Sequence, residues 1–168
     1  MNDRQPEITM IGPAGSFELR RLPADHDPSL RAWDAADVYV LGELRRRAAA
    51  RPERKLGGRW LVVNDLFGAL AVQLVEHEPQ SWGDSITSHR AAVANLERND
   101  IEPARITMVP STVDPVGPID VAIVKIPRSL ALLEDQLQRL RPLVHQDSIV
   151  IGAGMVKSIH RSTISLFE

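Results

Sequence analysis

The sequence predicts an α/β protein organised as a doubly wound, mostly parallel sheet, and three observations lead there. Residues 59–84 read strand, turn, short helix, strand. Short runs rich in β-branched residues alternate along the chain with segments of helical apolar spacing. Residues 119–124 form a nearly unbroken apolar run of the kind found where a strand is covered on both faces. The economical arrangement of such an alternation is parallel and right-handed.

Taken in order, residues 1–16 are polar and punctuated by Gly12, Pro13 and Gly15, which reads as a loose arm leading into a short strand at 17–22. Asp27 and Pro28 supply a cap and a first-turn proline for a helix over 29–50. Leu30, Trp33, Ala36, Val40, Leu41 and Leu44 give that helix a buried face, and Pro52 limits it. A strand at 59–63 stops at Asn64-Asp65, a helix follows over 66–75, and a strand at 81–83 delivers Asp84 nineteen positions after Asp65. A helix over 88–99 turns Ala92 and Leu96 inward, and a strand at 106–109 leads into the turn-rich segment PSTVDPVGP. After the apolar strand comes a helix over 129–141 with Leu130, Leu133, Leu137 and Leu140 on one face, then a strand at 148–151. A last amphipathic pattern begins at residue 158 and the sequence ends inside it, so the sheet is expected to stop before a final hairpin.

A chain of 168 residues suits one domain, and its 43% hydrophobic and 25% charged composition is that of a globular protein. The first ten residues lack the basic and apolar regions of a secretory signal and no apolar run is long enough to cross a bilayer, which predicts a cytoplasmic protein without membrane contact. The absence of cysteine excludes disulfides, thiolate metal sites and cysteine nucleophiles. The histidines at 26, 77, 89, 145 and 160 lack metal-ligand spacing, so no metal is expected. With a net charge of −2, any contact with nucleic acid has to be local. Arg45, Arg46, Arg47 and Arg51 are one such local patch: they either complement the negative end of a helix dipole or grip phosphates. Trp33, Trp60 and Trp82 read as core or sheet-covering residues.

The unit over 59–84 has the layout of a nucleotide-type site, in which an acidic residue about 20 positions past the turn meets a ribose. Asn64, Asp65, Gly68 and Asp84 are its candidate ligand-binding residues. The turn needs small residues where backbone approaches ligand, yet of these only Gly68 is present. Leu66 and Phe67 are expected to fill the hollow, so that the pocket is closed.

The blocks LRRLPADHDPSLRAWDAADVYVL, VVNDLFGAL, GDSITSHRAAVANLERND, VKIPRSLALLEDQLQRLRPLV and IGAGMVKSIHRSTISLFE occur in this order. Together they resemble the N-terminal domain of the bacterial ribosomal RNA large subunit methyltransferase G family, guanine-N2 methyltransferases similar to small-subunit methyltransferase C. The resemblance implies two Rossmann-like class I methyltransferase domains in tandem. The C-terminal one binds S-adenosylmethionine and carries an Asn-Pro-Pro-Phe motif; the N-terminal one is a degenerate copy that helps recognise RNA and supports its partner. Residues 17–168 correspond to the degenerate copy, following the arm at 1–16.

Methylating the exocyclic amine of guanine requires acceptors that orient the NH2 and stabilise the charge it develops. At the matching strand end this chain has Lys125-Ile126-Pro127-Arg128. Lysine offers donors and no acceptor, and its charge repels a sulfonium. The expectation is therefore a domain without catalytic residues and without its own cofactor, in a parent enzyme that uses S-adenosylmethionine. Its partners are then rRNA and the catalytic domain of the same polypeptide, with Lys125 and Arg128 joining the arginines as candidate RNA contacts. Two alternatives stand beside it: an active methyltransferase in which Asp84 holds the ribose and Asp65 the methionine part, and an interaction domain that packs on the catalytic domain or on itself.

Overall fold

The computed structural model describes residues 8–24, 27, 30–50, 56–156 and 159–167. A hairpin of β1 (Thr9–Gly12) and β2 (Gly15–Glu18) precedes α1 (Ala35–Ala50). The main sheet contains β3 (Trp60–Val63), β4 (Gln80–Gly83), β5 (Thr107–Pro110), β6 (Ile119–Lys125) and β7 (Val144–Ala153). Helices α2 (Ala69–Gln73), α3 (Ile86–Arg98), α4 (Leu130–Leu140) and α5 (Arg161–Ser165) complete the chain. The strands lie in the order β5-β4-β3-β6-β7, and every pair is parallel. The chain runs outward from β3 to one edge and returns to build the other half, which leaves a topological switch point beside β3.

Strand β3 shows why the sheet must be covered on both sides. All four of its residues are buried. Trp60 and Val62 join the core formed with α1, α2 and the hairpin, whereas Leu61 and Val63 join the one closed by Leu133 and Leu140 of α4. This is the alternation of a pleated strand, with apolar residues on both faces instead of one.

Several elements depart from the sequence expectation. Residues 9–12, read as part of a loose arm, pair with 15–18 as a hairpin. Its carbonyls at Met10 and Gly15 accept hydrogen bonds from the buried Gln73 amide, and a Cβ on Gly12 would lie 2.3 Å from that amide's oxygen. The strand expected at 17–22 ends at Glu18, after which the chain is held by α3. Asn99 exchanges two hydrogen bonds with the backbone of Glu18, and Asn95 does the same with Arg20. One turn of helix thus presents two amides in register with an extended backbone, standing in for a neighbouring strand.

Helix α1 begins at Ala35, six residues after the expected start. The reason is a reciprocal cap: the Asp34 carboxylate accepts from the Asp37 amide and the Asp37 carboxylate accepts from the Asp34 amide. Pro28, Ser29, Pro52 and Arg51 lie outside the described residues. The helix expected over 66–75 is shortened to α2 because Gly68 stands in the left-handed region with φ 78° just before it. A Cβ at Gly68 would sit 2.5 Å from the Ala92 Cα, so glycine also permits α3 to pack against the turn.

Between β5 and β6 the chain stays a loop, and side chains of β4 hold it. Gln80 exchanges two hydrogen bonds with the Val116 backbone and the Trp82 indole donates to the Val113 carbonyl. No helix among the described residues is long and apolar enough to cross a membrane.

Candidate functional site at the carboxyl edge of the sheet

The carboxyl ends of β3, β4 and β6 meet at the switch point, where open α/β sheets receive ligands. A cavity of about 630 Å³ opens there, lined by residues that include Asn64, Asp65, Leu66, Asp84, Ser88, His89, Lys125, Arg128 and Met155. The expectation that Leu66 and Phe67 close this hollow is not met. Phe67 packs into the core with the Arg21 guanidinium over its ring, and Leu66 stands at the rim, 59% exposed. Backbone direction decides this, because the turn after Asn64 aims one side chain into the core and the other outward.

Asn64 and Asp65 are brought to the site but are occupied in holding it together. Asn64 adopts φ 60°, a conformation that asparagine tolerates better than most residues. Its side-chain amide donates to the Lys125 carbonyl and to Gln136, which donates back to it at 2.8 Å. Strands β3 and β6 are thereby tied to α4. Asp65 is buried and accepts from the Ala71 amide at 2.9 Å, capping α2. Burial, reinforced by the negative charge of Asp37, pushes its pKa up to about 7.

Lys125 is not displayed toward solvent as a phosphate contact. It is 8% exposed, and its Nζ lies 2.8 Å from Asp34 Oδ1 and 2.6 Å from Asp37 Oδ1. Burial opposes the ammonium, but the two carboxylates outweigh it and hold its pKa above the ordinary lysine value. Asp34 is likewise opposed by burial, yet the hydrogen bond and charge of Lys125 bring it below the usual carboxylate range. At Asp37, which is deeper, burial wins and raises it. The sulfonium repulsion expected from Lys125 is accordingly cancelled by its partners. What remains is the missing acceptor, since the ammonium has no lone pair.

Asp84 is exposed at the end of β4, and Arg128 is exposed beyond β6; both line the cavity. Ile126 and Pro127 are half-buried parts of its wall. The arginines at the end of α1 lie elsewhere, beside a separate hollow of about 420 Å³ lined by Arg46, Arg47 and residues of β7. Arg46 and Arg47 share the Glu43 carboxylate at 2.8 and 2.6 Å, and Arg45 is exposed. No group of three or more metal-ligating side chains is found among the described residues.

Sequence reasoning missed Asp34, Asp37, Gln136 and His89. The Asp-Ala-Ala-Asp spacing ahead of an apolar helix is a cap signal that could have located the first two. The signal for Gln136 was its place as a polar residue three positions after Leu133, on the face that α4 turns inward. Nothing in the local sequence marks His89, which lines the cavity and whose imidazole burial holds below its ordinary pKa, a hydrogen bond to the Ser81 backbone opposing.

A parallel sheet of this order with a ligand-sized cleft at its switch point is a Rossmann-like fold, the class that SAM-dependent methyltransferases share. Solved structures agree: a Streptococcus mutans protein assigned to the SAM-dependent methyltransferases superposes with a TM-score of 0.65 at 12% identity, over 95% of this chain and 44% of its own. The glycopeptide N-methyltransferase MtfA complexed with S-adenosyl-L-homocysteine gives 0.51 at 13% identity, over 66% and 51%. The family model described as the RLMG N-terminal domain matches residues 8–168, and the chain belongs to that family. Ribosomal RNA large subunit methyltransferase G of Streptomyces coelicolor is 45% identical over 159 residues, 95% of this chain and 41% of the relative. The same enzyme of Streptomyces griseus is 46% identical over 154 residues, covering 92% and 40%. The chain thus spans about two fifths of the length of the curated relatives it matches.

Proposed function

We propose that this chain is the non-catalytic, RNA-recognising and scaffolding half of a cytoplasmic S-adenosylmethionine-dependent 23S rRNA guanine-N2 methyltransferase, whose catalytic domain belongs to the same polypeptide. The observation that carries this reading is the fate of the β6 strand end. An amine nucleophile needs an acceptor there, and the side chain at that point is an ammonium bound to Asp34 and Asp37. The names of the relatives and the share of them that this chain spans support the division of labour.

Titration of the chain with S-adenosylmethionine and a methyl-transfer assay on an rRNA fragment test the reading. Absence of transfer, with an rRNA affinity of the longer protein that falls when residues 1–168 are deleted, is the expected result. Transfer by this chain alone would overturn it. The open cavity with Asp84 at its rim favours a second reading, a domain that still holds the methyl donor, and micromolar donor affinity of the chain would select it.

A further inference from the structure

The sequence of α1 sorts the helix into two faces. Ala36, Val40, Leu41 and Leu44 are buried and join the core. The opposite face carries Val38, Tyr39, Gly42, Arg45 and Arg46, whose separations of three and four positions place them on successive turns about 5 Å apart. A helix face turned to water is ordinarily polar along its length. Here its first half is apolar: Val38 is 49% exposed, and Tyr39, the chain's one tyrosine, is 80% exposed. A single exposed ring needs no explanation by itself, but its neighbours on the same face give it one.

Glycine weakens a helix interior, and at Gly42 packing does not demand it, since a Cβ there would meet nothing within 4 Å. It leaves a bare stretch of helix where another backbone can approach closely. One turn further on the basic end begins. Residues 45–55 hold six of the chain's twenty lysines and arginines against one acid, in a chain whose net charge is −2. Arg45 has no hydrogen-bond or ion-pair partner among the described residues, while Arg46 and Arg47 share the single carboxylate of Glu43. Asp147, in the hollow beside them, is the second acid of this region, and the helix end stays cationic.

A ring, a bare backbone and a run of cations in this order match the needs of single-stranded nucleic acid: a π-face for an unpaired base, room for its sugar, and donors for the phosphates that follow. We infer that the outward face of α1 binds unpaired RNA, with one base stacked on Tyr39, the sugar crossing Gly42 and the phosphates on Arg45 and Arg46. The inference rests on the RNA-recognising role proposed above and gives that role a surface. A duplex keeps its base faces stacked on one another and offers none to the ring. An acidic peptide would satisfy the arginines and leave the ring unused.

Because Tyr39 is the one tyrosine, replacing it biosynthetically with 3-fluorotyrosine gives a single fluorine resonance that reports this face alone. A short unstructured RNA and a duplex of the same sequence are the probes, and affinity is read separately by fluorescence anisotropy over a salt series. The resonance is expected to shift with the single strand and not with the duplex. Tyr39→Ala is expected to weaken single-strand binding about tenfold without changing the slope of log affinity against log salt, since it removes a stack and no charge. Tyr39→Phe keeps the ring and stays within about twofold of the parent. Arg45→Ala flattens the slope by about 1. All these positions are exposed, so the thermal midpoints are expected to stay with the parent. RNA binding with an unmoved resonance and parental affinity in Tyr39→Ala would overturn the inference and leave RNA recognition by the domain standing. An equal shift with the duplex would overturn the unpaired base. A resonance that moves when the chain is joined to the rest of its polypeptide, and not with RNA, would overturn the inference in favour of a protein interface. Absence of RNA binding by the chain would also overturn it, and the proposed function falls with it where the longer protein keeps its rRNA affinity after deletion of residues 1–168.

Discussion

Lys125 and Asp37, 88 positions apart in the chain, stand 2.6 Å apart from Nζ to Oδ1. The pair joins the carboxyl end of β6 to the first turn of α1. The same Asp37 carboxylate, through its other oxygen, accepts the Asp34 amide and so begins the helix. One buried carboxylate therefore sets where α1 starts and which way Lys125 turns.

Lys125→Met keeps the length of the side chain and removes its charge, leaving Asp37 buried without a cation. Loss of roughly 3–5 kcal/mol in urea denaturation is expected, the usual consequence of breaking a buried pair from one side. Lys125→Met combined with Asp37→Leu recovers most of that loss, since replacing both partners by apolar groups is often near neutral. A shortfall of about 1 kcal/mol remains from the lost cap. Equal destabilisation by the single and the double variant would show that the pair is not coupled.

Asp65 gives the fold a pH dependence of definite sign. Its folded pKa of about 7 lies above the ordinary aspartate value of 3.8, so the folded state holds the proton more tightly. The stabilisation this brings is complete below pH 3.8 and is lost as pH rises through about 7. Asp65→Asn keeps an acceptor for the Ala71 amide and cannot ionise. Above pH 7 the variant is expected to be the more stable protein, by up to roughly 4 kcal/mol, with the difference shrinking toward pH 4. Thermal midpoints at pH 5 and pH 8 decide the matter, and a constant difference between the two proteins would contradict it.

What sequence reading recovered and what it missed divide along the range of the interactions. The strand at 119–124 and the helix at 129–141 were recognisable because their signals are local: an unbroken apolar run, and leucines at helical spacing after a serine that caps through its hydroxyl. The parallel, doubly wound character of the sheet followed from the alternation, whereas the order of its strands is a matter of long-range packing that no local signal carries. The first turn of α1 was misplaced because Pro28 gives a plausible start signal, whereas the reciprocal aspartates are strengthened by a lysine that arrives 88 residues later. The closed pocket failed for a related reason. The size of Leu66 and Phe67 can be read directly, but the direction each takes depends on positive φ at Asn64 and Gly68 and on the packing of α3 behind the turn.

The amides of α3 hold the segment between β2 and α1. Asn95 is 1% exposed and makes hydrogen bonds with the Arg20 amide, the Arg20 carbonyl and the Phe67 carbonyl. In Asn95→Asp the oxygen remains but the two donors are lost, leaving two carbonyls facing a carboxylate. A loss of roughly 2–4 kcal/mol is expected, larger than for Asn99→Asp at the more exposed end of the ladder. Hydrogen exchange at the Arg20 amide is the local readout, and protection unchanged in Asn95→Asp would refute the role of the ladder.

The end of α1 provides the test of where RNA is gripped. Arg46 and Arg47 both spend their charge on Glu43, whose carboxyl they hold well below its ordinary range. The single carboxylate offsets one of the two guanidinium charges, so the helix end keeps a net positive charge, with Arg45 exposed beside the pair. If phosphates are gripped here, RNA competes with Glu43 for the same guanidiniums. Glu43→Gln releases them and is expected to raise the affinity for an rRNA fragment and to steepen the dependence of log affinity on log salt by about 1 per freed cation. Arg45→Ala lowers both by a similar step. Arg128→Ala, on the far side of the sheet edge, isolates the contribution of the cavity rim. Fluorescence anisotropy over a salt series measures all three variants alike. A steeper slope in Glu43→Gln with no change in Arg128→Ala assigns the grip to α1, and the reverse pattern assigns it to the carboxyl edge. Indifference of all three leaves neither surface in contact with phosphate, and the domain then acts as a brace rather than a reader.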